Sequence, residues 1–317
     1  MSGHVDTGNI KRRLEILFGI AITVAAVFFM VSALRGFDPE SIFRAKINWC
    51  LAVLSVLILA FSTLIRAFVY PYGIDREMRV MEAWQIVAIG NAANMILPFR
   101  AGEALRLALF PKRYGAGRRA LLVIIPGFAD TGVILFLCLM AVAVANFKTP
   151  TYLLILKVLT YGFLAICALI LFILLVVPKS RAFVLSCLNR DTLEMFLWVA
   201  LSWFAVLLSI WVGFIAFGYP PIRAISLAFA TFAGINLAGM IPSSPGSIGL
   251  FEWSVSVGLT DLGVADIPAK MAGFLLHIFQ YGAALPIGLV LYLRFFLSRR
   301  RTRPRVIITR WQKPARP

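Results

Sequence analysis

Asn94-Met-Ile-Leu-Pro98-Phe-Arg100-Ala-Gly102-Glu103 and Asn236-Leu-Ala-Gly-Met-Ile-Pro242-Ser-Ser-Pro245-Gly246-Ser-Ile-Gly249-Leu-Phe-Glu252 place helix breakers and carboxylates inside otherwise apolar sequence. Lipid offers no partner to a free backbone group or a lone charge. Such residues therefore persist at membrane depth only beside protein or a water-filled cavity. The two segments start 142 residues apart and share one order, Asn, Pro, Gly, Glu. The pattern predicts a duplicated membrane protein with its working site at the breaks.

Around these segments the chain is 61% hydrophobic, with a mean hydropathy of +0.90, well above the roughly 45–50% apolar content of soluble domains. Several apolar runs exceed the ~20 residues of a bilayer-spanning helix. The first, Leu14 to Leu34, is longer than a signal-peptide core of ~7–15 residues and reads as a retained span. The net charge of +17 does not indicate nucleic acid, because of where it sits. Eight of the 31 basic residues fall between Arg299 and Arg316 with no acid among them, and others flank apolar runs (Lys11, Arg12, Arg13; Lys112, Arg113, Arg118, Arg119). Basic residues beside spans mark the cytoplasmic side and attract anionic headgroups at about 1 kcal/mol each. Cys50, Cys138, Cys167 and Cys187 are scattered, and the histidines are only His4 and His277. Neither disulfides, a metal site nor a cofactor is expected.

Six runs read as full spans, 14–34, 47–70, 120–145, 153–177, 195–218 and 269–296, and two interrupted regions lie at 84–110 and 225–260. With the N-terminus inside, loops 71–83 and 111–119 both fall on the cytoplasmic side, so 84–110 enters and leaves from one face as a re-entrant hairpin. By the same rule 225–260 is a hairpin entering from outside, and the tail 297–317 is cytoplasmic. The expected fold is all-α and polytopic, with an inverted repeat. Residues 1–149 (span, span, hairpin, span) are followed by 150–296 in the same order but opposite orientation, as in many transporters.

At the first break, Pro98 ends one helix and Gly102 permits a tight turn, so a new helix can run from about Arg100 to Phe110. Its N-terminus favours an anion. Arg100, Glu103 and Arg106 recur at three-residue intervals on one face, and the two guanidiniums suit a phosphate headgroup. The same residues would equally serve as an ion-pair ladder bracing the mouth. The second break offers the hydroxyls of Ser243, Ser244 and Ser247 among Pro242, Pro245, Gly246 and Gly249. Glu252, expected in the second turn of the following helix without an evident partner, is the candidate proton-coupling site, or else a brace for freed amides. Asn94 and Asn236 read as ties for hairpin backbone. Asp130 lies deep enough to need an internal partner, Arg66 or an arginine of the first hairpin, and is a second proton-coupling candidate. Arg66, near the end of its span, can snorkel. His277 reads as a hydrogen-bonded packing residue.

Leu97-Pro98-Phe99-Arg100-Ala101-Gly102-Glu103 with Arg106, Pro242-Ser243-Ser244-Pro245-Gly246-Ser247-Ile248-Gly249 with Glu252, and Leu275-Leu276-His277 resemble the flippase-like integral membrane family that includes the transmembrane part of lysylphosphatidylglycerol synthases. The resemblance covers nearly the whole chain. Phe99 and Ser247 depart from it, each standing where glycine is common. It implies movement of a lipid or lipid-linked saccharide between leaflets. Full-length synthases also carry a soluble aminoacyl-transfer domain, and the 21-residue tail cannot hold one.

Three functions remain open at this level. In the first, a translocase binds the headgroup between opposed hairpins while the tails stay in lipid. The second is an integral membrane transferase using Glu103, Glu252 or Asp130 as base, and the third a non-catalytic partner of a lipid or glycan biosynthetic enzyme. The absence of a P-loop argues against ATP hydrolysis by this chain. Arginine-rich loops fit a bacterial inner membrane with both termini cytoplasmic.

Overall fold

The computed structural model describes residues 31, 46–98, 100–111, 113–145, 147–176, 189–239 and 244–301. The expected first span (apart from Val31), Phe99, Pro242, Ser243 and the tail from residue 302 lie outside them. Among the described residues there is helix and no strand. Asn48 starts α1 (Trp49–Ala67) by accepting the Leu51 N–H at 3.2 Å, and after Phe68 the chain continues as α2 (Val69–Gly73). The first interrupted region forms α3 (Val80–Ile96) and α4 (Ala101–Leu109). Then come α5 (Ala116–Val144), which contains Pro126, and α6 (Pro150–Val176). Asn189 caps α7 (Arg190–Ala216) by accepting the Thr192 N–H at 2.9 Å. The second interrupted region forms α8 (Pro221–Ala238), a 3₁₀ turn (Pro245–Ser247) and α9 (Leu250–Asp261), and α10 (Asp266–Arg301) follows.

Among the described residues, five stretches are long and apolar enough to cross a membrane: Trp49–Gly73, Ala116–Val144, Arg190–Ala216, Pro221–Ala238 and Asp266–Leu297. One of them, α8, belongs to a region expected to be a hairpin. Both interrupted regions have unequal arms, because the breakers fall late in each. At 1.5 Å per residue, α3 and α8 rise ~26 and ~27 Å, close to the ~30 Å hydrocarbon thickness, whereas α4 and α9 rise only ~14 and ~18 Å. Large apolar side chains face outward, among them Phe128 (76% exposed) and Ile222 (84%). Exposure to water would cost each ~1.5–3 kcal/mol, a penalty that lipid removes.

The helices interlock. α1 runs along α7, where the Ser55 hydroxyl donates to the Ser209 carbonyl and the Ser209 hydroxyl donates to the Ser55 carbonyl, both at 2.8 Å. α3 packs on α10 and α8 on α5; α4 packs on α5 and α9 on α10; α1 packs on α3 and α7 on α8. One buried cluster, around Phe214, Leu227, Phe232 and Leu259, joins the second-half helices to α1. The other, around Met78, Ile86, Phe110 and Leu122, joins the first half to α7 and α10. Each long arm thus leans on the last helix of the other half, and this brings the two breaks together.

Candidate functional site

At the first break Leu97 is extended, and Arg100 takes a left-handed conformation (φ 53°) as the residue before α4. The opening amides of α4 need acceptors, and α3 supplies one. Asn94 Oδ1 accepts the Gly102 N–H at 2.8 Å, while Asn94 Nδ2 donates to Glu103 Oε1 at 3.2 Å. A side chain at Gly102 would lie 2.1 Å from the Gly90 carbonyl, so only glycine lets the arms meet this closely. Glu103 Oε2 accepts Arg106 Nη1 at 2.7 Å, and Arg106 Nη2 donates to Asn91 Oδ1 at 2.5 Å. Arg106 Nε is buried and has no partner among the described residues.

The three-residue ladder is therefore corrected. Arg100 is not helical, so helical spacing does not bring it to Glu103. Its guanidinium instead reaches the end of α8 at Gly239; it is exposed and makes no ion pair with a described residue.

Behind this break lies a second charge group. Both guanidinium nitrogens of Arg66 donate to Asp130, whose Oδ1 also accepts Trp203 Nε1 at 2.6 Å. Arg66 thus turns inward instead of snorkelling, its side chain 16% exposed, because a carboxylate on α5 lies within reach. Buried Tyr70 lies in the field of both groups, the Arg66–Asp130 pair and the Glu103–Arg106 pair. Within these groups two arginines balance two carboxylates, and Arg100, reaching the end of α8, adds a positive charge with no ion-pair partner among the described residues.

The second break is built from positive-φ residues: Gly246 (φ 60°), Ser247 (φ 59°) and Gly249 (φ 86°). Ser247 thus adopts a glycine-favouring conformation despite its side chain. The Ser244 hydroxyl donates to the Ile248 carbonyl at 2.8 Å. Glu252 falls in the first turn of α9, not the second, because α9 starts only at Leu250. It also has a partner, contrary to expectation. Its Oε2 accepts the Gly249 N–H at 2.8 Å, and its Oε1 lies 2.7 Å from His277 Nδ1 on α10. The spacing of 25 residues hides this pair from sequence reading. His277 Nε2 lies 2.9 Å from the Gly246 carbonyl, and Phe251 stacks on the imidazole at 4.3 Å. Asn236 donates to the Phe232 carbonyl of its own helix at 2.8 Å.

The breaks touch through Tyr281, whose hydroxyl donates to the Met95 carbonyl at the end of α3 (3.2 Å) and lies against Gly246. Asn91, Trp203 and Tyr281 were not legible as site residues. Each sits in an apolar run that reads as packing, and only the fold turns them toward charge.

Off the spans, Asp75 accepts the Tyr114 hydroxyl at 2.5 Å and the Glu77 N–H at 3.1 Å, with Arg118 at 3.5 Å. Burial alone would raise its carboxyl, but these bonds and the Arg118 and Arg113 charges outweigh that and hold it below the ordinary value.

Membrane-length helices around a partly buried charge cluster define an integral membrane protein of helical type. The chain belongs to the lysylphosphatidylglycerol synthase TM region family, whose model matches residues 16–288. Neither the comparison with curated proteins nor that with solved structures finds a match.

Proposed function

We propose that this chain is a lipid translocase that passes an anionic headgroup, of a phospholipid or lipid-linked saccharide, along the junction of its two breaks. The observation that carries this reading is the first break itself. Exposed Arg100, without an ion-pair partner among the described residues, precedes the helix that holds the Glu103–Arg106 pair and reaches the end of α8 on the way to the second break. Arginine's planar fork suits phosphate, and Arg100 is free to offer it. Glu103 and Asn91 hold Arg106 in place, while Ser244 and Ser247 lie on the opposite side of the junction. Lipid tails stay in the bilayer beside the outward apolar faces. Asp130, already bonded to Arg66 and Trp203, serves as a fixed counter-charge, and the proton-coupling role falls to Glu252.

An inverted repeat of 1–149 and 150–296 accounts for the packing economically. Pairing α1 with α7, α3 with α8, α4 with α9 and α5 with α10 maps every contact named above onto another of them. The reciprocal Ser55–Ser209 bonds then sit on the pseudo-two-fold axis. In this arrangement the termini lie on the cytoplasmic side of a bacterial inner membrane, with the basic tail 297–317 against anionic lipid. A lipid or glycan biosynthetic enzyme is the natural partner, supplying or consuming the moved lipid.

The test is reconstitution into vesicles of native lipid extract carrying a fluorescent anionic lipid, with inter-leaflet movement read by dithionite quenching. Wild type is expected to move the probe faster than empty vesicles. Arg100→Ala should slow it about tenfold or more, the loss of one charge-assisted contact of ~1.5–3 kcal/mol. Equal rates for wild type, variant and empty vesicles across a panel of native headgroups would overturn the reading.

A further inference from the structure

We propose that Glu252 and His277 together hold one exchangeable proton, and that this proton clamps the second break shut. The inference depends on the preceding reading only in treating that break as part of the working site.

The bonding at the imidazole dictates the proton count. Gly246 O is a carbonyl oxygen and can only accept, so the 2.9 Å contact requires a hydrogen on His277 Nε2. The 2.7 Å contact between His277 Nδ1 and Glu252 Oε1 requires one more hydrogen between them, on either atom. Glu252 Oε2 is occupied by the Gly249 N–H. The clamped state therefore carries two hydrogens over three positions. It is net neutral whether written as imidazolium and carboxylate or as imidazole and carboxylic acid. Neutrality suits the setting, since the side chains of His277 and Glu252 are 3% and 12% exposed and an unpaired charge there is costly.

Removing one proton leaves a single hydrogen for two acceptors, the carboxylate and the Gly246 carbonyl. The charged carboxylate is the stronger acceptor. The imidazole therefore keeps Nδ1–H toward Glu252 and presents a bare Nε2 to the carbonyl. Two lone pairs then face each other, and the turn at Pro245–Ser247 is released. Positive φ at Ser247, a residue with a side chain, makes this turn the strained element that a lost bond frees first. The proton passes to water in the junction and returns by the same route, so no other reactant is needed.

Among the described residues, the charged groups on the packed elements are committed elsewhere, apart from Arg100 at the end of α8. Tyr281 is the other ionisable side chain against the imidazole, 5.0 Å between rings, and its hydroxyl is committed to Met95. Arg223 of α8 bonds the Leu262 carbonyl, and Asp261 of α9 takes the amides of Lys148 and Thr149. Lys270 of α10 pairs with Asp266, Arg66 of α1 with Asp130, and Glu82 of α3 with Arg113. The arginines from Arg294 onward begin about five turns beyond His277 along α10.

The experiment is hydrogen–deuterium exchange of the peptide covering residues 244–250 in full-length protein in lipid nanodiscs. Rates are corrected for intrinsic chemistry and followed from about pH 5 to about pH 9, around the histidine range. Wild type is expected to lose protection about five- to tenfold as pH rises, the ratio that one hydrogen bond gives. Glu252→Gln keeps every bond without an exchangeable proton, because its amide donates to Nδ1 and accepts from Gly249. Its protection is expected to stay high and flat with pH. His277→Phe keeps the stack on Phe251 but removes both bonds, and should be unprotected throughout; His277→Gln serves if that variant does not fold.

Flat protection in wild type, or Glu252→Gln exchanging like His277→Phe, overturns the proposal. In a His4→Gln chain labelled with ¹⁵N-histidine, only His277 reports. Above the transition it is expected to show the Nδ1–H tautomer, and an Nε2–H tautomer there would equally overturn the clamp. Neither readout uses lipid movement. Loss of transport with an intact clamp would sink the translocase reading alone.

Discussion

At the scale of single residues, the charges inside the bundle divide into fixed and available ones, and partners decide which is which. Asp130 receives both guanidinium nitrogens of Arg66 and the Trp203 N–H, so it is fixed. Asp130→Asn removes the countercharge and strands Arg66. Leaving such a partner uncompensated costs about 3 kcal/mol or more. The variant is expected to unfold at markedly lower denaturant in detergent titration. Arg66→Met combined with Asp130→Leu removes both charges and should recover most of the loss; if it is as unstable as Asp130→Asn, the pair is not what stabilises this region. Sequence reading found the cost of Asp130 and proposed Arg66 among its partners, because an acid deep in an apolar run must be answered by something. It could not give the partner of Glu252, since the fold alone sets which of several distant polar groups a carboxylate meets.

At the scale of elements, the breaks were legible because proline and glycine act through local backbone geometry. The predicted helix from Arg100 to Phe110 is α4 (Ala101–Leu109), and the half-helix from Ser247 to Thr260 is α9 (Leu250–Asp261) behind a 3₁₀ turn. The inequality of the arms was not anticipated. Where a helix begins in apolar sequence is set by tertiary packing, and α3 begins at Val80, four residues before the expected start. Close crossing of α3 and α4 depends on Gly102. Gly102→Ala forces a methyl into the Gly90 carbonyl and the Asn94 amide, and a clash against backbone costs ~1–3 kcal/mol. It should lower the unfolding temperature, and it should also release Asn94 from its amide acceptor role, which faster exchange of the α4 N-terminal amides would report.

The connection between α2 and α3 makes a pH-dependent prediction. Asp75 has its carboxyl held below the ordinary value, so its contribution is fully present above the unfolded value near 3.9 and fades as pH falls through the folded one. Asp75→Asn should therefore lower the unfolding temperature at pH ~7, with the gap to wild type closing below pH ~4. A gap that persists in acid would assign the effect to lost geometry, not charge.

At the scale of the whole molecule, the question is whether two halves of one chain face opposite ways. Charge distribution led to that expectation from loops alone, and the reciprocal packing of the helices is what such a duplication would produce. The loop between α4 and α5 and the loop between α9 and α10 are equivalent in the proposed repeat, so inversion places them on opposite faces. Gly115 has open space around the position a side chain would take, and Ala265 is exposed. Cysteine at either site should therefore be tolerated in a background lacking the four native cysteines. In sealed vesicles of known orientation, a membrane-impermeant maleimide is expected to label Gly115→Cys only from the cytoplasmic face and Ala265→Cys only from the other. Labelling of both from one face would remove the inverted repeat, and with it the requirement that the two breaks open toward different leaflets. The charge cluster at the first break would then serve a site accessible from a single side, as a transferase needs and a translocase cannot use.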